Sequence, residues 1–227
     1  GGIGQGLSGA IGVAVFRRHE RRAAVIAGLL CLRGADIVWR LQAPFHVTVA
    51  FAEGGDDAYY YFTVARNLAR GHGLTIDGTH WTSGFQPLWA LVTGVFFLVP
   101  WERASFALVY IASVACWLGS ALLLLRFVER ASTVPLDRFS RLVIAALFLC
   151  ERQLSSLYVN GMETGLHLFL VLALLLTFQH YYQSVPDRWA GARLGLIAGL
   201  AMLARNDVVF LSGALMMPML QIGRAHV

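Results

Sequence analysis

ASFALVYIASVACWLGSALLLL, Ala104 to Leu125, runs for 22 residues without one charged side chain. A helix rises about 1.5 Å per residue and the hydrocarbon layer of a bilayer is about 30 Å thick, so about 20 apolar residues are enough to cross it. The stretch therefore reads as a membrane span. Around it, the 227-residue chain is 57% hydrophobic and only 14% charged, well below the roughly 25% charged usage of a soluble domain. All 18 basic residues are arginines scattered along the chain, which leaves no basic patch to track nucleic acid. Cys31, Cys116 and Cys150 stand far apart in apolar runs and read as small buried hydrophobes, not as disulfide or metal ligands.

Applying the same ruler outward predicts further spans at Ala23–Gln42, Leu142–Val159, Thr164–His180, Ala190–Ala204 and Val208–Gln221. The fold class is all-α, a polytopic transmembrane helix bundle. The block Arg17, Arg18, Arg21 and Arg22 precedes the first span and holds the N-terminus on the cytoplasmic side. Pro87 to Val99 is apolar but only 13 residues long, too short for a comfortable crossing. If it is re-entrant or interfacial, the arginine-rich loop of Arg126, Arg130, Arg138 and Arg141 falls in the cytoplasm, as the positive-inside rule favours. Three polar segments then share the outer face: the loop Ala43–Gln86, the turn Val159–Glu163 and the turn Arg205–Asp207.

The outer loop has structure of its own. Asp57 to Arg70, DAYYYFTVARNLAR, is helical in character and stops at Gly71. Tyr61, Val64 or Ala65, and Leu68 share one face, which suits an amphipathic helix lying in the interface with its tyrosines at headgroup depth. Asp56 or Asp57 would cap its start. Two adjacent carboxylates exceed what one cap needs, and they suit a proton acceptor or a divalent-cation ligand equally well. Glu163 has the simple reading of a first-turn acid facing a helix dipole. Arg205 and Asp207 have that of a pair across a turn. His72 and His80 have no second ligand at metal spacing. Trp81, Phe85 and Trp89 suit sugar stacking or interfacial anchoring, with anchoring expected of Trp89. Within the spans, Arg33, Asp36 and Arg40 sit at i, i+3 and i+7 and can neutralise one another, while Glu151 and Arg152 are expected to face other helices or a polar cavity.

The stretch DDAYYYFTVARNLARGHGLTIDGTHWTSGFQPLW, Asp56 to Trp89, resembles the first extracytoplasmic loop of bacterial GT-C membrane glycosyltransferases, enzymes akin to protein mannosyltransferases and aminoarabinose transferases (families 39 and 83). NGMETGLHLFL, Asn160–Leu170, resembles the turn where these enzymes place a second acidic residue, and GLAMLARNDVVFL, Gly199–Leu211, resembles the helix end that returns polar groups to the same face. The resemblance implies that residues 1–227 are the N-terminal part of such a module, with residues 43–86 as its extracytoplasmic loop and a C-terminal remainder missing.

It also implies a chemistry. The donor would be a sugar on a polyprenyl phosphate, transferred with inversion to a lipid, glycan or protein acceptor outside a bacterial inner membrane. Asp56 would be the general base and Asp57 its helper. Glu163, Arg205, Asp207, Arg66 and His80 would bind substrate, with Arg205 on the lipid phosphate. Asp57 and Glu163 would hold a divalent cation, Mg or Mn, if one is used. Two other classes fit the same composition: a transporter or flippase of a lipid-linked sugar, which would carry an inverted repeat or broken helices, and a noncatalytic membrane scaffold, whose outer loop would be polar filler.

Overall fold

The computed structural model describes residues 23–40, 42, 55–183 and 189–225. The arginine block at 17–22, Glu53 and the rest of residues 43–54 lie outside the described residues, as does the side chain of Asp56. The described chain is helical, with no strand; one isolated antiparallel bridge joins Thr75 and Trp81.

In chain order the helices are α1 (23–40), α2 (Gly55–Ala69), α3 (Pro87–Phe96), α4 (Glu102–Ala131), α5 (Arg138–Cys150), α6 (Arg152–Val159), α7 (Thr164–Gln183), α8 (Ala190–Ala204) and α9 (Val208–Ala225). By length and composition α4 and α7 can each cross a membrane, and the bent pair α5–α6 makes a third crossing if taken as one span. At 10 residues, α3 spans only about 15 Å and cannot cross alone. Proline at its start removes an N–H that would lack a partner anyway.

Leu142–Val159 is not one straight span. The chain breaks at Glu151 and turns by 60°, because the Glu151 carboxylate accepts from the Leu154 backbone N–H and starts a new helix there. An acid in an apolar run thus serves as a cap, and Arg152 follows in the first turn of α6.

The bundle is built by α4 packing on α7 and α7 on α8. Close approach needs small residues. A Cβ at Gly119 would come within 2.8 Å of the Phe169 ring, and Ala198, Ala201 and Ala204 of α8 are buried against Leu170 and Leu174 of α7. Outward, Ile111, Leu118 and Leu122 form an exposed apolar stripe on α4, the surface expected to meet lipid.

The polar ends sort by side. At the start of α4, Arg103 donates to the Gln42 carbonyl, and Glu102 pairs with Arg66 of α2. Its 30 residues carry the chain about 45 Å to the arginine-rich end, where Arg141 pairs with Glu129 at 2.9 Å. On α1, Asp36 stands between Arg40 at 3.1 Å and Arg33 at 3.9 Å, the neutralisation along one face that the spacing implies.

Helix α2 departs from the sequence expectation. It does not lay its apolar face in the interface; Ala58, Tyr61, Phe62, Val64 and Ala65 are buried in protein. Phe62 meets Phe106 of α4 edge-on, with centroids 5.2 Å apart, and α2 runs along α3. Aromatic bulk finds a better partner in those rings than at a headgroup layer.

Candidate functional site

The turn Asn160–Glu163 is seated on α2. Gly161 has φ +82°, and a Cβ there would lie 2.7 Å from Phe62 and 3.2 Å from Ala58, so only glycine lets the turn come this close. The Asn160 side-chain oxygen accepts from the Met162 backbone N–H at 2.9 Å, an Asx turn. The Trp89 indole donates to the Gly161 carbonyl at 3.0 Å in a fully buried contact. Trp89 is therefore a pin within the protein and not an interfacial anchor.

That turn delivers Glu163 to the head of α7. Its carboxylate is buried, 5% exposed, and Oε1 lies 3.9 Å from Arg205 Nη1. Arg205 also pairs with Asp207 through Nη2 at 3.2 Å. Arg205 caps the end of α8 in an extended conformation and Asp207 precedes α9, so the α8–α9 turn aims a guanidinium back at α7. The other oxygen, Glu163 Oε2, is buried without a hydrogen-bond partner.

Three more side chains complete the cluster. Tyr61 of α2 accepts from the Gln86 backbone N–H at 2.9 Å; burial first, and then the nearby Glu163 carboxylate, push its phenol far above the ordinary tyrosine range. His167 stands one helical turn after Glu163 and within electrostatic reach of Glu163, Arg205 and Asp207; its Nδ1 is buried without a partner, as is the Gln86 Oε1. Tyr61, His167 and Gln86 are absent from the sequence-derived site. The Glu163–His167 spacing of four was the available signal, since residues at i and i+4 share a helix face.

The remaining sequence candidates fall as follows. Asp57 is exposed in the first turn of α2, one turn before Tyr61 on the same helix, and no hydrogen bond or ion pair joins it to Glu163 or Arg205 among the described residues. Asp56 precedes it in the same helix. Arg66 pairs with Glu102 and lies over the Phe97 ring at 5.7 Å, fastening α2 to α4. His80 is exposed and its Nδ1 meets Asp77 Oδ2 at 2.7 Å. Asp77 Oδ1 accepts from the backbone N–H groups of Thr79 and His80 at 2.9 and 2.8 Å. These bonds, led by the His80 backbone N–H, hold the Asp77 carboxyl below the usual carboxylate range. The Asp77–His80 turn is thus a structural knot. Trp81 is 80% exposed, whereas Phe85 packs against the core around Phe62 and Trp89.

Among the described residues, no group of three or more His, Cys, Asp and Glu is gathered as for a metal ion. What the cluster offers is a buried carboxylate with one oxygen unpaired, a guanidinium beside it, and a phenol and an imidazole within electrostatic reach. Such a site can hold a polyol by its hydroxyls while a cation meets an anionic group. No protein-family model, no curated protein and no solved structure matches the chain.

Proposed function

We propose that the chain is part of a GT-C-type membrane glycosyltransferase of a bacterial inner membrane, multi-pass, with its site on the extracytoplasmic face. The reading combines the motif resemblance with one observation. The segments carrying those motifs, α2, the 160–163 turn and the 205–207 turn, meet around the buried Glu163 carboxylate and Arg205.

The site lies at the end of the apolar helices, the place a sugar on a polyprenyl phosphate requires: tail in hydrocarbon, sugar and phosphate at the rim. In this reading the acceptor hydroxyl attacks the anomeric carbon from the face opposite the phosphate, its proton passes to the Asp56 carboxylate, and the glycosyl–phosphate bond breaks. Charge grows on the departing lipid phosphate, where Arg205 stabilises it. Glu163 and Asp207 orient Arg205 and accept from sugar hydroxyls; Asp57 assists Asp56.

A divalent cation, Mg or Mn, belongs to the proposal at Asp57 and Glu163. The unpaired Oε2 of Glu163 is a suitable hard oxygen ligand, and the other oxygens would come from Asp57 and the substrate phosphate. When bound, the cation would supply additional charge neutralisation at the phosphate.

This chain alone is not expected to be active, so the test is transfer of a radiolabelled sugar from a polyprenyl-phosphate donor in membranes carrying the full-length enzyme of which it is the N-terminal part. Asp56→Asn should abolish transfer while expression and membrane insertion stay intact. Undiminished turnover removes Asp56 from the mechanism.

A further inference from the structure

The apolar stripe on α4 leads straight into charge. Leu118 and Leu122 are exposed along it, and further steps of four reach Arg126 and Arg130, so the side of the helix that meets acyl chains also carries two guanidiniums. Depth agrees with this. The 22 uncharged residues Ala104–Leu125 rise about 33 Å, just over the ~30 Å hydrocarbon layer. Arg126 therefore stands at headgroup level, and Arg130 about 6 Å beyond it.

Helix α5 brings a third cation to the same end. Arg141 is paired with Glu129 at 2.9 Å, and the pair fastens the first turn of α5, where Arg138 stands, to the end of α4. Asp137 caps that turn, its Oδ1 accepting from the Ser140 backbone N–H at 2.8 Å. Arg126, Arg130 and Arg138 are all exposed, and among the described residues none of their guanidiniums has an ion pair or a hydrogen bond. Four arginines against Glu129 and Asp137 leave a balance of +2 over residues 126–141.

Aromatic rings gather at this level too. Helix α7 runs parallel to α4, because Phe169 lies on Gly119 and the Gln179 amide reaches the Phe127 carbonyl at 3.5 Å. Its end exposes Tyr182, and α8, whose far end meets the head of α7 through Arg205 and Glu163, starts beside it with the exposed Trp189. Tyrosine and tryptophan settle where hydrocarbon gives way to water. The phosphates of the lipids lie at that boundary, and arginine forks match phosphate geometry. A zwitterionic headgroup cancels its own phosphate charge, so a net positive surface selects acidic lipids.

We infer that the end of α4, with the start of α5, is a docking surface for anionic phospholipid headgroups, whose phosphates Arg126, Arg130 and Arg138 hold. It lies at the opposite end of α4 from Glu102 and does not depend on the glycosyltransferase reading.

The test uses the chain in maltoside micelles, which carry no phosphate. Dioleoyl phosphatidylglycerol or dioleoyl phosphatidylcholine is titrated in, and bound lipid is counted by native mass spectrometry. Phosphatidylglycerol should bind at least about fivefold more tightly, and Arg126→Gln, Arg130→Gln and Arg138→Gln should each weaken it about fivefold, the equivalent of ~1 kcal/mol per arginine near anionic lipid. Phosphatidylcholine binding should not change. All three side chains are exposed, so each variant should keep the far-UV circular dichroism of the parent. Arg70→Gln is the charge-matched control: Arg70 is exposed one turn beyond Arg66, which pairs with Glu102 at the start of α4, and its loss should leave phosphatidylglycerol binding as it was. Weakening at two or more of the three positions, with Arg70→Gln silent, sustains the inference. Equal binding of the two lipids, weakening at fewer than two positions, or a loss with Arg70→Gln as large as the others overturns it.

Discussion

The Trp89 indole N–H donates to the Gly161 carbonyl at 3.0 Å, across 72 residues of sequence and with the ring fully buried. This bond ties the short helix α3 to the turn that presents Glu163, and so joins the outer loop to the head of α7. Trp89→Phe keeps most of the apolar contact but strands a buried carbonyl. The cost should be about 1–3 kcal/mol, read as a lowered unfolding midpoint in detergent; an unchanged midpoint would show that the bond contributes nothing to the union.

Gly161 joins a left-handed backbone to a lack of space. Gly161→Ala should destabilise by about 1–3 kcal/mol from backbone strain, with the clash on Phe62 added. Phe62→Leu in the same chain should return the clash and leave the strain. Partial rescue in thermal unfolding of the double variant is the expected pattern, and full rescue would mean that φ +82° is not the obstacle.

Glu163 is far more deeply buried than Arg205, whose side chain is 38% exposed. Removing the arginine therefore strands a buried charge, whereas removing the carboxylate releases an arginine that still has Asp207 and water. Arg205→Gln should lower stability more than Glu163→Gln, and the double variant should recover part of the loss. Equal single effects that simply add would contradict a coupled pair.

Asp77 governs the acid side of the outer loop. Its folded pKa is depressed, so its contribution is present in full above the ordinary carboxylate range and fades as pH falls through and below that range. The carboxylate is exposed to solvent, so the effect is small, but its sign is fixed. The unfolding midpoint of the chain should exceed that of Asp77→Ala by a constant margin near neutrality, with the margin closing in acid. A margin independent of pH would contradict the Asp77 turn as drawn.

How much of this was legible in the chain depends on the range of the forces involved. Helix limits set by local hydropathy came out closely: α7 extends the expected span Thr164–His180 by three residues, to Gln183, and Ala190–Ala204 is helix α8 as read, although its 15 residues fall short of a crossing. The Arg33–Asp36–Arg40 ladder followed from helix periodicity. The break at Glu151 did not, because an acid followed by Arg152 and Gln153 in a hydropathic run reads equally as a charge pair facing other helices and as the cap of a new helix. The burial of α2 and the Trp89 pin depend on partners 20 to 100 residues away. An amphipathic face shows that something covers it, without showing whether lipid or protein does. For the same reason Glu163, Arg205 and Asp207 could be named from their motifs, while Tyr61 and Gln86 enter only through tertiary contact and His167 had only its i+4 spacing from Glu163 to mark it.

The central claim is that acidic segments distant in sequence share one membrane face, opposite the arginine-rich loop. In a chain whose Cys31, Cys116 and Cys150 are replaced by serine, single cysteines at Asp57, Asp207 and Val134, all exposed, can be challenged with an impermeant maleimide on intact cells. The account predicts labelling at positions 57 and 207 from outside, and at 134 only after permeabilisation. Labelling of 57 and 207 from opposite sides would leave no common pocket and contradict it.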